Sequence, residues 1–204
     1  MDTLPSRRIG LVLGLLAMVL LGCASTPETR FFVLSSISPS EKIGNRGDDH
    51  CFAIGIGPVR IPDYLDQPQI VTRVTQNEVR MDEFARWAEP LKDNISTVLA
   101  ENLSSLLCIR SMVVFPGREK TPAEYRIDVQ VVQMDARLAE TASLDVSWSI
   151  ADGTDRKKGA LLTKRSTYKE SAGVGDYGAF VSAQSRNLGS MSRDIADAIR
   201  VLPR

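Results

Sequence analysis

Tyr125-Arg126-Ile127-Asp128-Val129-Gln130-Val131-Val132-Gln133-Met134 is the stretch that decides the fold. Tyr125, Ile127, Val129 and Val131 alternate with Arg126, Asp128 and Gln130. A period of two suits a strand with one buried face and does not suit a helix. The phase slips at Val131-Val132 and resumes at Met134. A β-bulge explains this, because one extra residue moves the alternation by one position. Further along, Leu144, Val146, Trp148 and Ile150 alternate in the same way. Asp152-Gly153 begins a turn, and Gly159 to Tyr168 returns as a third strand. Together the three segments predict an antiparallel meander.

Working toward the N-terminus, Pro90 opens a helix in its first turn. Leu91, Ile95, Val98, Leu99, Leu103, Leu106 and Leu107 follow at spacings of three and four, one apolar stripe, with Lys92, Asp93, Ser96, Glu101 and Ser104 on the other side. Met112 to Phe115 is a short strand stopped by Pro116-Gly117. Before the helix, Gln69 to Thr75 and Glu78 to Asp82 predict a hairpin around Gln76-Asn77, and Cys51 to Arg60 predicts a strand with Phe52, Ile54 and Ile56 on one face. Phe31 to Ile37 reads as a first strand, followed by a polar loop to His50. Toward the C-terminus, Gly173-Val174-Gly175 breaks the chain. Tyr177, Phe180, Val181, Gln184, Leu188, Met191, Ile195 and Ile199 then mark a second amphipathic helix, whose Ser, Ala and Gly189 suggest close packing. Strands, a helix, strands and a helix make an α+β chain: a mainly antiparallel sheet with two amphipathic helices packed on one face.

The N-terminal end carries a different signal. Arg7 and Arg8 precede Ile9 to Leu21, an uncharged apolar run shorter than the roughly 20 residues a membrane span needs. The run ends in Leu20-Leu21-Gly22-Cys23, a small residue before the cut and a thiol after it. That pattern predicts a lipoprotein signal peptide over 1–22 and lipidation of Cys23. Residues 23–30 are then a lipidated end and short tether, and 31–204 a single periplasmic domain. The seven residues from Ala24 to Arg30 reach roughly 23–25 Å when stretched, so the domain starts close to the bilayer. Two or three acyl chains make the attachment effectively permanent. Ala24 is not the Asp that retains Gram-negative lipoproteins in the inner membrane, so the expected site is the inner leaflet of the outer membrane, facing the periplasm.

Composition excludes several functions. Without Arg7, Arg8 and Asp2, 23 basic and 24 acidic residues remain. There is no basic block, so no nucleic-acid partner is expected. His50, the only histidine, sits in a polar loop, and a hydrolase triad would have to use it. No metal-binding or cofactor motif is present. Gly55-Ile56-Gly57 lies in or at the end of a strand and lacks the features of a phosphate loop. The carboxylates of Asp82 and Glu83 read as solvated, and Trp87 and Trp148 read as core. Nothing assembles a nucleophile, a base and an oxyanion site, so no enzyme is expected. Cys51 and Cys108 are a candidate disulfide in an oxidising compartment, with two buried free thiols as the alternative.

Two blocks resemble a known family. Ile54 to Arg73, containing Gly57-Pro58-Val59-Arg60-Ile61-Pro62-Asp63-Tyr64-Leu65-Asp66-Gln67-Pro68-Gln69, is similar to the signature of the PqiC/YmbA lipoproteins, also called ABC-type transport auxiliary lipoproteins. Phe84-Ala85-Arg86-Trp87-Ala88-Glu89-Pro90-Leu91 resembles the family's second block, and Arg30-Phe31-Phe32-Val33-Leu34 its aromatic first strand. The resemblance implies a non-enzymatic subunit that works with Mce-domain tunnel proteins in moving lipid between membranes or guarding envelope integrity. It further implies a homo-oligomeric ring at the tunnel tip, with contact to the transported lipid left open. An envelope scaffold without lipid traffic is the alternative. The residues themselves direct attention to Pro58, Pro62, Tyr64, Leu65, Asp66, Pro68 and Gln69 as a partner surface. Prolines hold this segment extended and poorly paired, and a short turn at 63–66 would tend to display Tyr64 and Leu65. The other reading of those two is a core plug at the end of the sheet.

Overall fold

The computed structural model of the chain describes residues 27–38, 51–115, 122–137, 141–155, 159–173 and 176–202. The expected signal segment, Cys23, the loop ending in His50, Pro116-Gly117 and Val174-Gly175 lie outside the described residues. In chain order the elements are β1 (Arg30–Phe32), β2 (Phe52–Arg60), β3 (Gln69–Thr75), β4 (Glu78–Trp87), α1 (Leu91–Leu106), β5 (Ile109–Val114), β6 (Tyr125–Arg137), β7 (Thr141–Asp152), β8 (Ala160–Ser171) and α2 (Tyr177–Val201).

The alternating segments form the meander: β6, β7 and β8 pair antiparallel, with a register shift between Val131 and Gln133 where the sequence changes phase. The α+β class and the dominance of antiparallel pairing are as the sequence predicts. The structure adds a division into two sheets, β5-β2-β6-β7-β8 and β1-β4-β3. It also adds a parallel centre, since β2 runs parallel to both β5 and β6. The hairpin β3–β4 and helix α1 supply the long crossover that parallel neighbours require.

Cα register places Val114, Ile56, Ile127, Ile150 and Leu162 in one row across all five strands. Both helices pack over this sheet, α1 against β2 and β5, α2 against β6, β7 and β8, and they touch each other. The apolar stripe of α1 is buried as its spacing predicts. Ser96, expected on the polar side, is buried as well. Its hydroxyl donates to the Lys92 carbonyl at 2.8 Å, and this bond back along the helix removes the cost of burying it. Among the described residues no helix is long and apolar enough to cross a membrane.

Three departures have physical causes. The expected strand over Phe31 to Ile37 shortens to β1, parallel to the end of β4. Beyond Phe32 the chain stays extended, but its amides go to side chains: Leu34 N–H to Asn94 Oδ1 at 2.7 Å, Ser35 N–H to Ser185 Oγ at 3.0 Å and Ile37 N–H to Asn102 Oδ1 at 2.8 Å. The last strand before Phe115 is longer than Met112 to Phe115 and starts at Ile109. Strand β4 absorbs Phe84 to Trp87, and Asp82 organises an irregularity within it. One carboxylate oxygen accepts the amides of Phe84 and Ala85, each at 2.8 Å, and the other accepts the Tyr177 hydroxyl at 3.0 Å. Asp82 is therefore a structural acceptor rather than a freely solvated charge.

Candidate docking site

The segment that the sequence marks as a partner surface begins inside β2. Gly57 has φ 102°, a conformation glycine adopts at no steric cost, and precedes a cis bond to Pro58. Its carbonyl accepts from Arg126 Nε at 3.2 Å. Past Pro62 the chain makes one turn, in which the Leu65 amide bonds the Pro62 carbonyl at 2.9 Å and the Asp66 amide the Asp63 carbonyl at 3.2 Å.

This turn does not display both of its apolar residues. Leu65 is 3% exposed and belongs to the core. Burial of this aliphatic side chain is favoured over display. Tyr64 is half-buried. Burial raises its phenol pKa, the Asp135 carboxylate adds to that, and Arg73 opposes both. Arg73 and Asp135 themselves form an ion pair at 2.5 Å that ties β3 of the small sheet to β6 of the large one. Gln133 also bonds this carboxylate. Pro58, Pro62 and Gln69 are partly buried, while Asp66 and Pro68, with Gln67 between them, face outward.

Those outward residues form one wall of a groove of about 350 Å³, with Trp87, Ala88, Glu89, Pro90 and Leu91 as the other wall and floor. The two sequence blocks, distant along the chain, meet here. Trp87 is 7% exposed, and its amide donates to the Pro68 carbonyl at 2.8 Å, which fixes one wall to the other. Asp66 and Lys92 pair at 3.1 Å on the rim. Glu89 accepts from Asn94 Nδ2 at 2.6 Å, so the carboxylate is oriented over the first turn of α1, where it complements the helix dipole. An apolar floor with a fixed polar rim can seat an apolar side chain and read a nearby charge.

Sequence periodicity did not single out Asp82, Asn94 or Asn102. Their partners lie far along the chain, 95 residues away for the Tyr177 bond to Asp82, and 60 and 65 for the amides of Leu34 and Ile37. Asn102 also donates to Ser192 Oγ at 3.0 Å, so one buried side chain joins the extended segment, α1 and α2. Gly189 of α2 lets that segment pass, because a Cβ there would stand 2.9 Å from Ile37 Cγ2.

Cys51 and Cys108 form a disulfide, with Cα atoms 4.4 Å apart. It staples the start of β2 to the end of α1, beside the Phe52 amide bond to the Cys108 carbonyl at 2.7 Å. Among the described residues no three His, Cys, Asp or Glu side chains gather in a way that could hold a metal ion.

Fold and groove together define a class: an α+β domain whose open, pinned groove suits the docking of another surface. The chain belongs to the family described as the ABC-type transport auxiliary lipoprotein component, which matches residues 32–196. Its fold is similar to the crystal structure of an uncharacterized protein, with TM-score 0.66 and 17% identity over 85% of this chain and 99% of that one. It is also similar to protein XCC0632 from Xanthomonas campestris, of the DUF330 family, with TM-score 0.68 and 12% identity over 83% and 94% of the two chains. No curated protein matches the sequence.

Proposed function

We propose that this protein is a non-enzymatic outer-membrane lipoprotein subunit of an Mce-type intermembrane lipid transport system. In this reading, acyl chains on Cys23 hold it to the inner leaflet of the outer membrane, and the domain docks the tip of a periplasmic tunnel as one member of a homo-oligomeric ring. The observation that carries the proposal is the groove at Asp66–Pro68 and Trp87–Leu91, where both blocks of the family resemblance converge. Its position supports the reading as well. Strand β1, into which the tether from Cys23 leads, pairs with β4 up to Trp87, and the Ala88 amide donates to the Phe32 carbonyl at 2.9 Å. Strand β1 and the Trp87 side of the groove thus share one end of the small sheet.

Capture of the lipidated protein from membranes, followed by mass spectrometry of proteins and lipids, tests the proposal. An Mce-domain protein with copurifying lipid is the expected catch. Recovery of outer-membrane assembly machinery alone would replace the transport role by a scaffold role.

A further inference from the structure

We infer that Phe31 and Val33 form a foot that inserts into the bilayer interface and fixes the attitude of the domain on the membrane; this rests on the lipidated-Cys23 reading above. The outward positions of an extended edge segment are ordinarily polar, as Ser35 is here. Phe31 and Val33 are instead 63% and 50% exposed, while Phe32 and Leu34 between and beyond them turn inward. Eight residue steps separate Phe31 from Cys23, at most about 26–29 Å of chain. The headgroup layer is only about 5–7 Å thick on each side of the hydrocarbon. The tether therefore reaches the interface with slack and holds the pair at high local concentration beside it.

The neighbourhood fits a lipid surface better than a protein strand. Strand β1 pairs over only three residues, and the chain beyond it spends its amides on Asn94, Ser185 and Asn102. That leaves too short an edge for strand addition. Arg86 is the register partner of Phe31, so it shares its face. Its Nε is buried and has no hydrogen-bond partner among the described residues. An outward aromatic and a β-branched side chain at the membrane end of a lipid tether suit the boundary between headgroups and acyl chains. Since the following segment is fastened to both helices, insertion of the pair would orient the whole domain rather than a loose tail.

Tryptophan reporters test this in the full-length acylated protein reconstituted into phosphatidylethanolamine–phosphatidylglycerol vesicles. The added emission of Phe31→Trp, and of Val33→Trp as a second reporter, is compared with Val201→Trp, at a site 82% exposed at the far end of α2. The expected result is about threefold stronger quenching of the first two by acyl-brominated lipid. Equal quenching at all three sites on acylated protein overturns the foot and leaves the anchor standing. A blue shift that follows protein density without bromolipid quenching also overturns it, because a second copy then covers the pair. An intact mass without acyl chains on Cys23 overturns the anchor reading, and the foot with it.

Discussion

The two sheets share one apolar core but differ in how much polar pinning is added to it. The five-stranded sheet and its helices close over rows of aliphatic and aromatic side chains such as Ile56, Ile127, Trp148 and Leu99, each essentially without exposure. The small sheet and the extended segment beside it join that core through Leu34, Ile70, Val71, Ala85 and Trp87, and polar pins are added there: Asp82, Asn94, Asn102 and the Arg73–Asp135 pair. Apolar burial is strong and non-directional. A buried hydrogen bond adds little net stability but is costly to leave half-made. The first region should therefore set most of the stability of the domain, and the second should set where the groove and β1 lie. Substitutions can separate the two.

The largest loss is expected in the large sheet. Trp148→Ala leaves a cavity where the ring packs and should cost about 3–5 kcal/mol, seen as a fall in urea midpoint. Next comes the staple. Replacing Cys51 and Cys108 by Ser frees a long loop across a separation of 57 residues and should cost about 2–4 kcal/mol, measurable by the same unfolding curves without reductant. Asn102→Ala strands the Ile37 amide and removes the donor to Ser192, whose hydroxyl keeps its bond to the Leu188 carbonyl at 2.7 Å; the cost should be about 1–3 kcal/mol. Its distinguishing signature is faster amide exchange in residues 34–38 with exchange in β7 little changed. If β7 exchange rises equally, the two regions are not separately held.

The smallest effect is a pH dependence. Burial pushes the Tyr168 phenol from 10.0 up to about 12, and the Asp194 carboxylate adds to it. The Tyr168 hydroxyl donates to Asp194 at 2.9 Å, and Lys164 meets the same oxygen at 3.0 Å. A folded-state value above the unfolded one means that the neutral phenol is favoured by folding. This contribution is fully present below pH 10 and is lost as pH rises toward about 12. Melting temperatures between pH 9 and 12 should fall less steeply in Tyr168→Phe than in the wild type. Parallel curves would remove Tyr168 as a source.

What the sequence disclosed follows the same division. The stripe from Leu91 to Leu107 and the alternation from Tyr125 to Ile150 are periodic, so the helix, the meander and its bulge were legible. The parallel centre was not. In β2, Ala53 and Gly55 are buried as well as Phe52, Ile54 and Ile56; the continuous run, rather than the alternation within it, is the mark of a strand covered on both faces. The pins were illegible because an Asn or Asp that holds a distant backbone amide looks, in sequence, like one that faces water. The groove was half legible. Prolines mark the segment 58–69, and Asp66 and Pro68 face outward as expected, but the turn hides Leu65, and Trp87–Leu91 joins it only through the fold.

The central claim is that this groove docks the protein's partner independently of what keeps the domain folded. Binding of acylated Pro68→Arg and wild-type protein to the proposed Mce-domain partner, with melting temperatures taken on the same samples, tests it most directly. A loss of affinity of about tenfold, roughly 1.4 kcal/mol, with melting unchanged to about 1 °C, is the predicted result. Equal affinities would contradict the claim.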